Sequence, residues 1–512
     1  MYKCSKIVLR ELKSSYGNFD KFRVLISSRN FVDKKGYHTD GRSKKFVHIP
    51  KDHRNKLHVD QKGHLFNREL GFMTDRNIKG WFPTEHTPSK DEDKIKYLKD
   101  LKTSELLSYA MVGMASSTKQ ILNLCVKLFP FIPLWMIRRM IYNIYCGGEN
   151  LKQVMEAGSR LQNRGIHNMM LSLTIEACDG NDNIDPNFIV EETRKSVLEC
   201  LIPHTIAQIK NSGLGINKIP PSYVALKPTG FSKDGARALR YFKSDPESAK
   251  MFDELVERVS MVCEAVYESN ERLLKEIPDR KIPLSIAVID AEKFELQEGV
   301  YELQRRLYSK FNPLNKPVSV VGTLQMYLSN SADCLAKEEM LARENGYRLA
   351  LKLVRGAYLH SEVDRANVIH KTKEDTDANF NEGVAYCIDS VLASKDNSST
   401  IGHLVVATHN YDSCDLATER IKQKVSTDNE SNSSNIVLGQ LLGMADDVTY
   451  KLVNEKRVSN VIKYVPWGPA LETKEYLKRR LEENGDSVRT DSGFNLVKNV
   501  GKVLAKKLSN FS

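Results

Sequence analysis

The sequence lacks the motifs by which several large enzyme classes are recognised. It contains no GxxxxGK[ST] and no HExxH, and Gly213-Leu-Gly215 is not followed by the third glycine of a GxGxxG. These absences argue against a P-loop nucleotide triphosphatase, a zincin and a Rossmann dinucleotide domain, because each of those folds holds its phosphate or zinc through its motif. A nucleotide cofactor would have to be held by a different fold.

Paired cysteines are also missing. The chain has nine scattered cysteines and no CxxC pair, at Cys4, Cys125, Cys146, Cys178, Cys200, Cys263, Cys334, Cys387 and Cys414. An odd, dispersed set is unlike a disulfide framework or a zinc cluster. A reducing intracellular compartment fits this pattern best.

Long apolar runs are absent as well. No stretch of about 18 uninterrupted apolar residues occurs, so the sequence predicts no membrane-spanning helix. The nearest candidate, 121–146, is interrupted by Lys127, Pro130, Pro133 and the pair Arg138-Arg139. We expect it to form buried helices or helices that lie on a membrane surface.

Positive charge is in modest excess, with 76 Lys and Arg against 65 Asp and Glu, or +11 over 512 residues. No nucleic-acid-binding module accompanies this charge, so we expect no nucleic-acid partner, whereas attraction to an anionic membrane stays open. Residues 1–30 are basic and rich in serine, which is typical of a mitochondrial transit peptide or of a disordered basic tail. Residues 31–95 are polar and without periodicity, which predicts poor order.

The remainder alternates between helical and strand-like patterns. Residues 96–150 predict a helical region, with two helices between Thr103 and Cys146 and a break near 130–133. Further helical stretches occupy 245–275 and 470–483. Eight apolar runs of strand length occupy 165–173, 222–227, 284–290, 318–326, 348–354, 403–407, 435–441 and 461–466.

Strands that alternate with helices indicate βαβ units and a parallel sheet, and eight of them favour a closed (β/α)8 barrel over 151–512. The segment 422–435 is rich in Ser, Asn and Asp, which predicts a solvent-exposed insertion. In such barrels, catalytic side chains lie where the strands end. Polar residues end seven of the runs: Glu176, Lys227, Asp290, Gln325, Arg355, His409 and Tyr464. Their convergence on one rim predicts a functional site.

A paired arginine follows the last run. Tyr476, Arg479 and Arg480 stand at i, i+3 and i+4, which places them on one face of a helix. Two adjacent guanidinium groups could bind a carboxylate as a fork. They could equally form surface ion pairs with Glu482 and Glu483, and both interpretations stay open.

Five short strings give these residues a family resemblance. They are Asp290-Ala-Glu292, Leu353-Val-Arg-Gly-Ala-Tyr358, Ala407-Thr-His-Asn410, Gly443-Met-Ala-Asp446 and Tyr464 followed by Tyr476-Leu-Lys-Arg-Arg480. Together they resemble the proline dehydrogenase family in its eukaryotic mitochondrial form, from about residue 100 to 490. The resemblance implies a distorted (β/α)8 barrel that carries non-covalent FAD.

The resemblance also implies roles. The implied catalytic residues are Asp290, which would lie near the substrate amine, and Lys352. Lys352 stands where bacterial members carry arginine, which keeps the charge but loses the planar fork. Glu176 would be the acidic partner of the arginine pair. The implied substrate-binding residues are Lys227, Tyr464, Tyr476, Arg479 and Arg480. The implied cofactor-binding residues are Ala291, Gln325, Arg355, Gly356, Ala357, Thr408 and His409.

The implied reaction is oxidation of L-proline to Δ1-pyrroline-5-carboxylate by hydride transfer to the flavin, with ubiquinone as electron acceptor. It implies peripheral association with the matrix side of the mitochondrial inner membrane. Three alternatives stay open: a hydroxyproline dehydrogenase, in which the residue at the position of Tyr464 tends to be smaller, a flavin barrel for another substrate such as a folate, and a non-catalytic ligand-binding barrel.

Overall fold

In a computed structural model of the chain, the described residues are 57–59, 65–67, 95–175, 185–359, 361–393, 399–426, 430–486 and 492–509. The predicted transit segment 1–30, nearly all of 31–95, and Glu176 lie outside this range. Two short strands, β1 (Leu57–Val59) and β2 (Leu65–Asn67), pair antiparallel.

Eight parallel strands form a closed barrel in chain order, with the last strand paired to the first. The strands are β3 (Asn168–Leu173), β4 (Ser222–Leu226), β5 (Ser285–Ile289), β6 (Val320–Gln325), β7 (Leu349–Val354), β8 (Ile401–Ala407), β9 (Ile436–Leu441) and β10 (Val461–Trp467). Each predicted run overlaps one strand. The predicted (β/α)8 barrel is therefore confirmed.

Helices lie before, between and after the strands. They are α1 (Lys96–Lys99), α2 (Thr103–Ala115), α3 (Lys119–Leu128), α4 (Leu134–Ile137), α5 (Asn143–Tyr145), α6 (Leu151–Gln162), α7 (Pro186–Lys195), α8 (Ile202–Asn211), α9 (Gly235–Tyr241), α10 (Pro246–Glu276), α11 (Phe294–Phe311), α12 (Ser331–Asn345), α13 (Arg365–Val368), α14 (Lys373–Ala393), α15 (Tyr411–Lys424), α16 (Asp446–Tyr450), α17 (Lys474–Asp486) and α18 (Ser492–Ser509). π-helical or 3-10 turns extend several of them.

Local sequence signals fix where these helices begin. The side chain of Asp245 accepts a hydrogen bond from Ser248 N, and Pro246 occupies the first turn of α10. Asn410 caps α15 in the same way through Ser413 N. Such caps satisfy backbone N–H groups that have no partner within the helix.

The strands are buried on both faces, so the barrel has two apolar layers. One set of side chains fills the interior: Met170, Tyr223, Ala225, Ile286, Val288, Val321, Ala350, Val405, Val437 and Ile462. The residues between them pack against the surrounding helices. This alternation follows from the two-residue period of a strand.

The predicted N-terminal helical region is more interrupted than the sequence suggested. The prediction of two helices over 103–146 is wrong, because α2 ends at Ala115 and Thr118 Oγ1 begins α3 by accepting a hydrogen bond from Ile121 N at 3.3 Å. Pro130 and Pro133 then break the chain again, as predicted. Among the described residues, no helix is long and apolar enough to cross a membrane.

The predicted exposed insertion 422–435 needs correction at both ends. Lys422 to Lys424 form the last turn of α15, and Ser434 and Asn435 are buried at the start of β9. Asn435 Oδ1 lies 3.4 Å from His403 Nδ1, so this polar residue has a partner in the barrel interior. Residues 427–429 lie outside the described range.

His403 generates a prediction about stability and pH. Burial lowers its pKa to about 3, and its Nε2 lies 2.9 Å from Tyr223 OH. The folded protein keeps this imidazole neutral, whereas the unfolded chain binds a proton below about pH 6.5. The low pKa of His403 therefore costs no unfolding free energy above about pH 6.5. As the pH falls from about 6.5 towards 3, proton uptake by the unfolded chain lowers the unfolding free energy. Between pH 7 and 5 the loss should be roughly 2 kcal/mol.

Urea unfolding of a His403→Gln variant at the two pH values measures this contribution. The drop in unfolding free energy between pH 7 and 5 should be smaller in the variant by that amount. Tyr223→Phe, which keeps the buried imidazole, should retain the wild-type drop. An equal drop in unfolding free energy in His403→Gln and in wild type would contradict the lowered pKa of His403.

Candidate functional site

The inward-facing alternation continues to the C-terminal ends of the strands. Ala225, Val288 and Ala350 point into the barrel, and the next inward positions, two residues later, are Lys227, Asp290 and Lys352. The same period leads to Gln325 and Tyr464 on other strands. Polar side chains thus replace apolar ones at the C-terminal ends of β4–β7 and β10. We call the C-terminal end of the barrel the rim.

Asp290 lies at the centre of this rim. Its Oδ1 accepts a hydrogen bond from Lys352 Nζ, and its Oδ2 accepts one from Tyr464 OH at 2.9 Å. Lys352 Nζ also lies 5.8 Å from the centre of the Tyr464 ring. The Lys352 and Asp290 side chains are only 8% and 14% exposed, so their attraction is weakly screened. Burial and the neighbouring Asp290 raise the pKa of Tyr464 well above its usual value, which keeps the phenol protonated as a donor.

Gln325 joins the loops that follow β5 and β7. Its Nε2 donates to Glu292 O at 2.9 Å, and its Oε1 accepts from Ala357 N at 3.1 Å. Tyr358 OH donates to Ala291 O at 3.1 Å between the same two loops. The amide of Gln325 is fully buried and has a second N–H that these contacts do not use.

Glu292 extends this connection to a third loop. Its Oε1 accepts hydrogen bonds from Thr229 N and Oγ1 at 3.3 and 2.9 Å, and Tyr358 OH lies 3.4 Å from its Oε2. Thr229 follows Lys227 by two residues. The carboxylate therefore links the loops after β4, β5 and β7. Sequence reasoning assigned it no role, although it ends the string that begins at Asp290.

The turn after β7 is held by packing as well as by charge. Arg355 forms an ion pair with Asp377 and lies 5.7 Å from the centre of the Phe380 ring. Within the described part of the chain, its buried Nε donates no hydrogen bond. A Cβ on Gly356 would come within 2.3 Å of the Tyr327 ring. Gly356 was predicted to bind the cofactor, and the structure shows that the Tyr327 ring by itself requires a residue without a Cβ at this position.

A backbone hydrogen bond fixes the tautomer of His409. Its Nε2 accepts a hydrogen bond from Leu441 N at 3.1 Å, which places the proton of the neutral ring on Nδ1. Burial lowers its pKa to about 3, and the positive charges of Lys463 and Arg480 act in the same direction. The preceding Thr408 accepts from Asn410 N at 3.1 Å and so shapes the turn after β8.

The paired arginines lie on α17, and their surroundings differ. Arg479 is exposed, whereas Arg480 is partly buried, with its guanidinium carbon 4.9 Å from the centre of the Tyr476 ring. Tyr476 is 6% exposed and packs with Phe129 and Tyr142 of the N-terminal region. Tyr476 raises the pKa of Tyr464, though less than burial and Asp290 do, so this helix lies near the rim.

A second charged cluster supports β10 from outside. Lys463 Nζ lies 3.0 Å from Asp446 Oδ1, and Asp446 Oδ2 accepts from Tyr109 OH and lies 3.4 Å from an Arg164 nitrogen. Burial alone would raise the pKa of Asp446, but Lys463 and Arg164 hold it well below its usual range. Gly443, at φ +75°, makes the preceding turn. The cluster ties α2 to the barrel wall and was not predicted from the sequence.

A family model described as proline dehydrogenase matches residues 154–492, which is more than half of the chain. The chain belongs to the proline dehydrogenase family. The resemblance expected from the five strings is confirmed.

Two relatives and one solved structure show how far the similarity extends. Proline dehydrogenase 1, mitochondrial, of Dictyostelium discoideum is 26% identical over 74% of this chain and 67% of that protein. Probable proline dehydrogenase, mitochondrial, of Schizosaccharomyces pombe is 34% identical over 43% of this chain and 46% of that protein. Proline utilization A of Bdellovibrio bacteriovorus, inactivated by N-propargylglycine, gives a TM-score of 0.55 at 15% identity over 80% of this chain and 43% of that one. The structural likeness shows the shared fold, and the chain spans less than half of the last two proteins.

Glu292→Gln tests whether this carboxylate holds the rim together. The variant would place an amide NH2 against donors that now face a carboxylate, so the unfolding free energy should fall by about 1.5–3 kcal/mol. Glu295→Gln is the matched control, because it breaks an exposed ion pair with Arg240 that is worth less than about 1 kcal/mol. Urea unfolding of both variants measures the difference, and equal losses would contradict the role of Glu292.

Proposed function

We propose that this protein is an FAD-dependent proline dehydrogenase that oxidises L-proline to Δ1-pyrroline-5-carboxylate. One observation carries the proposal: the family's barrel holds Asp290, Lys352 and Tyr464 in mutual contact at its rim. Buried charge at the C-terminal end of such a barrel is where this fold places its chemistry. A non-catalytic barrel would gain nothing from burying this charged pair, since two ions lose hydration there.

The donors at the rim suit FAD. The buried Arg355 Nε, the second N–H of Gln325 and His409 Nδ1–H are available to acceptor atoms of a flavin or its phosphates. Thr408 and the backbone of Ala291, Gly356 and Ala357 complete the predicted set. When bound, FAD supplies the acceptor for a hydride, and the protein supplies binding and orientation.

The substrate carboxylate is assigned to Arg479 and Arg480. Adjacent guanidinium groups can bind a carboxylate through paired, charge-assisted hydrogen bonds. Arg480 is oriented by the ring of Tyr476, which is itself fixed in an apolar cluster. Tyr464 would close the substrate pocket beside Lys227, because its hydroxyl is already committed to Asp290.

Asp290 has an electrostatic part in this reaction. The proline nitrogen must be neutral before the hydride leaves C5, because its lone pair forms the new C=N bond. Positive charge then develops on that nitrogen, and a fixed carboxylate nearby stabilises it. Both Asp290 oxygens already accept hydrogen bonds from Lys352 and Tyr464, so the residue is better suited to hold charge than to take the proton.

The names of the relatives support a mitochondrial location, and the electron acceptor is part of the proposal. The similar proteins of Dictyostelium and fission yeast are named mitochondrial, and the basic segment 1–30 is compatible with import. We assign the protein to the mitochondrion, at the matrix side of the inner membrane, with ubiquinone as acceptor. Peripheral association suits these partners, because ubiquinone is dissolved in the bilayer.

Replacing either arginine tests the proposal. Arg479→Met and Arg480→Met should each raise KM for proline at least about 10-fold, since a hydrogen bond to a charged group contributes about 1.5–3 kcal/mol. Arg194→Met, on α7, changes an arginine that is 37% exposed and pairs with Glu191, and as the matched control it should leave KM unchanged. Steady-state dye reduction measures all three. Unchanged KM in both test variants would contradict the carboxylate assignment, and a higher kcat/KM for hydroxyproline than for proline would favour the related enzyme.

A further inference from the structure

The N-terminal helical region carries a stripe of exposed apolar side chains. Their spacing along the chain is three, four, three and four residues, and their exposed fractions range from 42% to 81%. The stripe consists of Ile121, Leu124, Leu128, Phe131 and Trp135. Soluble surfaces normally show such residues singly, so five large exposed apolar side chains within fifteen residues indicate an interaction surface.

The opposite side of these elements is firmly attached to the protein. Leu122, Phe129 and Ile137 are buried, and the last two pack with Tyr476 and Leu477 of α17. Lys474 Nζ, at the start of α17, donates to the carbonyl oxygens of Pro130 and Ile132. The stripe is therefore the outer face of a packed layer.

The charge around the stripe has one sign. No Asp or Glu occurs from residue 106 to residue 148. The cations Lys119, Lys127 and Arg139 are exposed, and none of them forms an ion pair with any residue that the structure describes. Arg138 differs, because it pairs with Glu149 at 2.6 Å.

The C-terminal helix adds to this surface. In α18, Gly493 lies against Ser116 at the end of α2, and the adjacent Phe494 is 67% exposed. Residues 492–509 contain no acidic side chain and carry Lys498, Lys502, Lys506 and Lys507. A second basic element with an exposed aromatic ring thus lies beside the helix that precedes the stripe.

We propose that the 121–135 stripe, with its flanking cations, docks the protein on an anionic lipid surface. Large apolar side chains enter the headgroup region, tryptophan is stable at that boundary, and Lys and Arg contact lipid phosphates. A protein partner would also bury an apolar row, so vesicle binding is what separates the two occupants. The proposal rests on the peripheral membrane association proposed above and names the surface that performs it.

Vesicle binding by the full chain tests this surface. The protein should co-sediment with vesicles of phosphatidylcholine mixed with phosphatidylglycerol and bind pure phosphatidylcholine much more weakly. The triple variant L124E/F131E/W135E should lose affinity at least about 10-fold, because the inserted side chains become charged. The matched control F188E/L198E/L314E changes three similarly exposed apolar residues elsewhere and should bind like wild type.

Two further variants separate charge from apolar contact. Lys119→Gln and Lys127→Gln should each lower affinity for the anionic vesicles about 5-fold, an effect that high salt should remove. Equal binding of wild type and the triple variant would overturn the proposal. Light scattering gives the other contrary outcome: a wild-type dimer that the triple variant dissociates would identify a second copy of the chain as the occupant.

Proline-dependent reduction of a soluble dye, without vesicles, keeps the two proposals separate. The triple variant should retain wild-type dye reduction, which also shows that it folds. A wild-type protein that binds vesicles but does not oxidise proline would contradict the proposed activity and leave the docking surface supported. A protein that oxidises proline but does not bind anionic vesicles would contradict the docking surface and leave the proposed activity supported.

Discussion

Pairing of β10 with β3 closes the barrel, and the placement of the rim side chains depends on that closure. In a closed parallel barrel every strand has one face towards the interior, so the two-residue period acts in the same way on all eight. Tyr464 lies opposite Met170 in the closing register and reaches Asp290, which is 174 positions earlier in the chain. A shift of one residue in the register of β10 against β3 would turn the Tyr464 side chain away from the barrel interior.

Elements outside the barrel hold α17, the helix proposed to bind the substrate carboxylate, in position. Tyr476 and Leu477 of α17 pack on the N-terminal helices, and Lys474 bonds to their backbone. Asp446 binds Tyr109, Arg164 and Lys463 together, which fixes α2 against β10. The proposed lipid surface is the outer face of this same layer. The same packed layer of N-terminal helices and α17 would then position both the membrane-binding side chains and the substrate-binding side chains.

The sequence was sufficient to predict the strands, because each apolar run is short, bounded by polar residues and separated from the next by a helical stretch. It also predicted that Lys227, Asp290, Gln325 and Tyr464 lie at strand ends, since strand ends can be read from a one-dimensional pattern. It could not predict the Glu292 network, the packing of Gly356 on Tyr327, or the contact between Tyr109 and Asp446. These depend on side chains far apart in the chain, by 337 positions in the last case. The family resemblance, rather than the pattern, supplied the roles of Thr408 and His409.

The most direct test is an anaerobic absorbance titration of the purified protein with L-proline. We expect a flavin absorbance band that proline bleaches, because hydride transfer reduces the bound cofactor and no oxygen is present to reoxidise it. A protein that shows no flavin band even after FAD is added, or a band that proline leaves unchanged, would contradict the proposed proline oxidation.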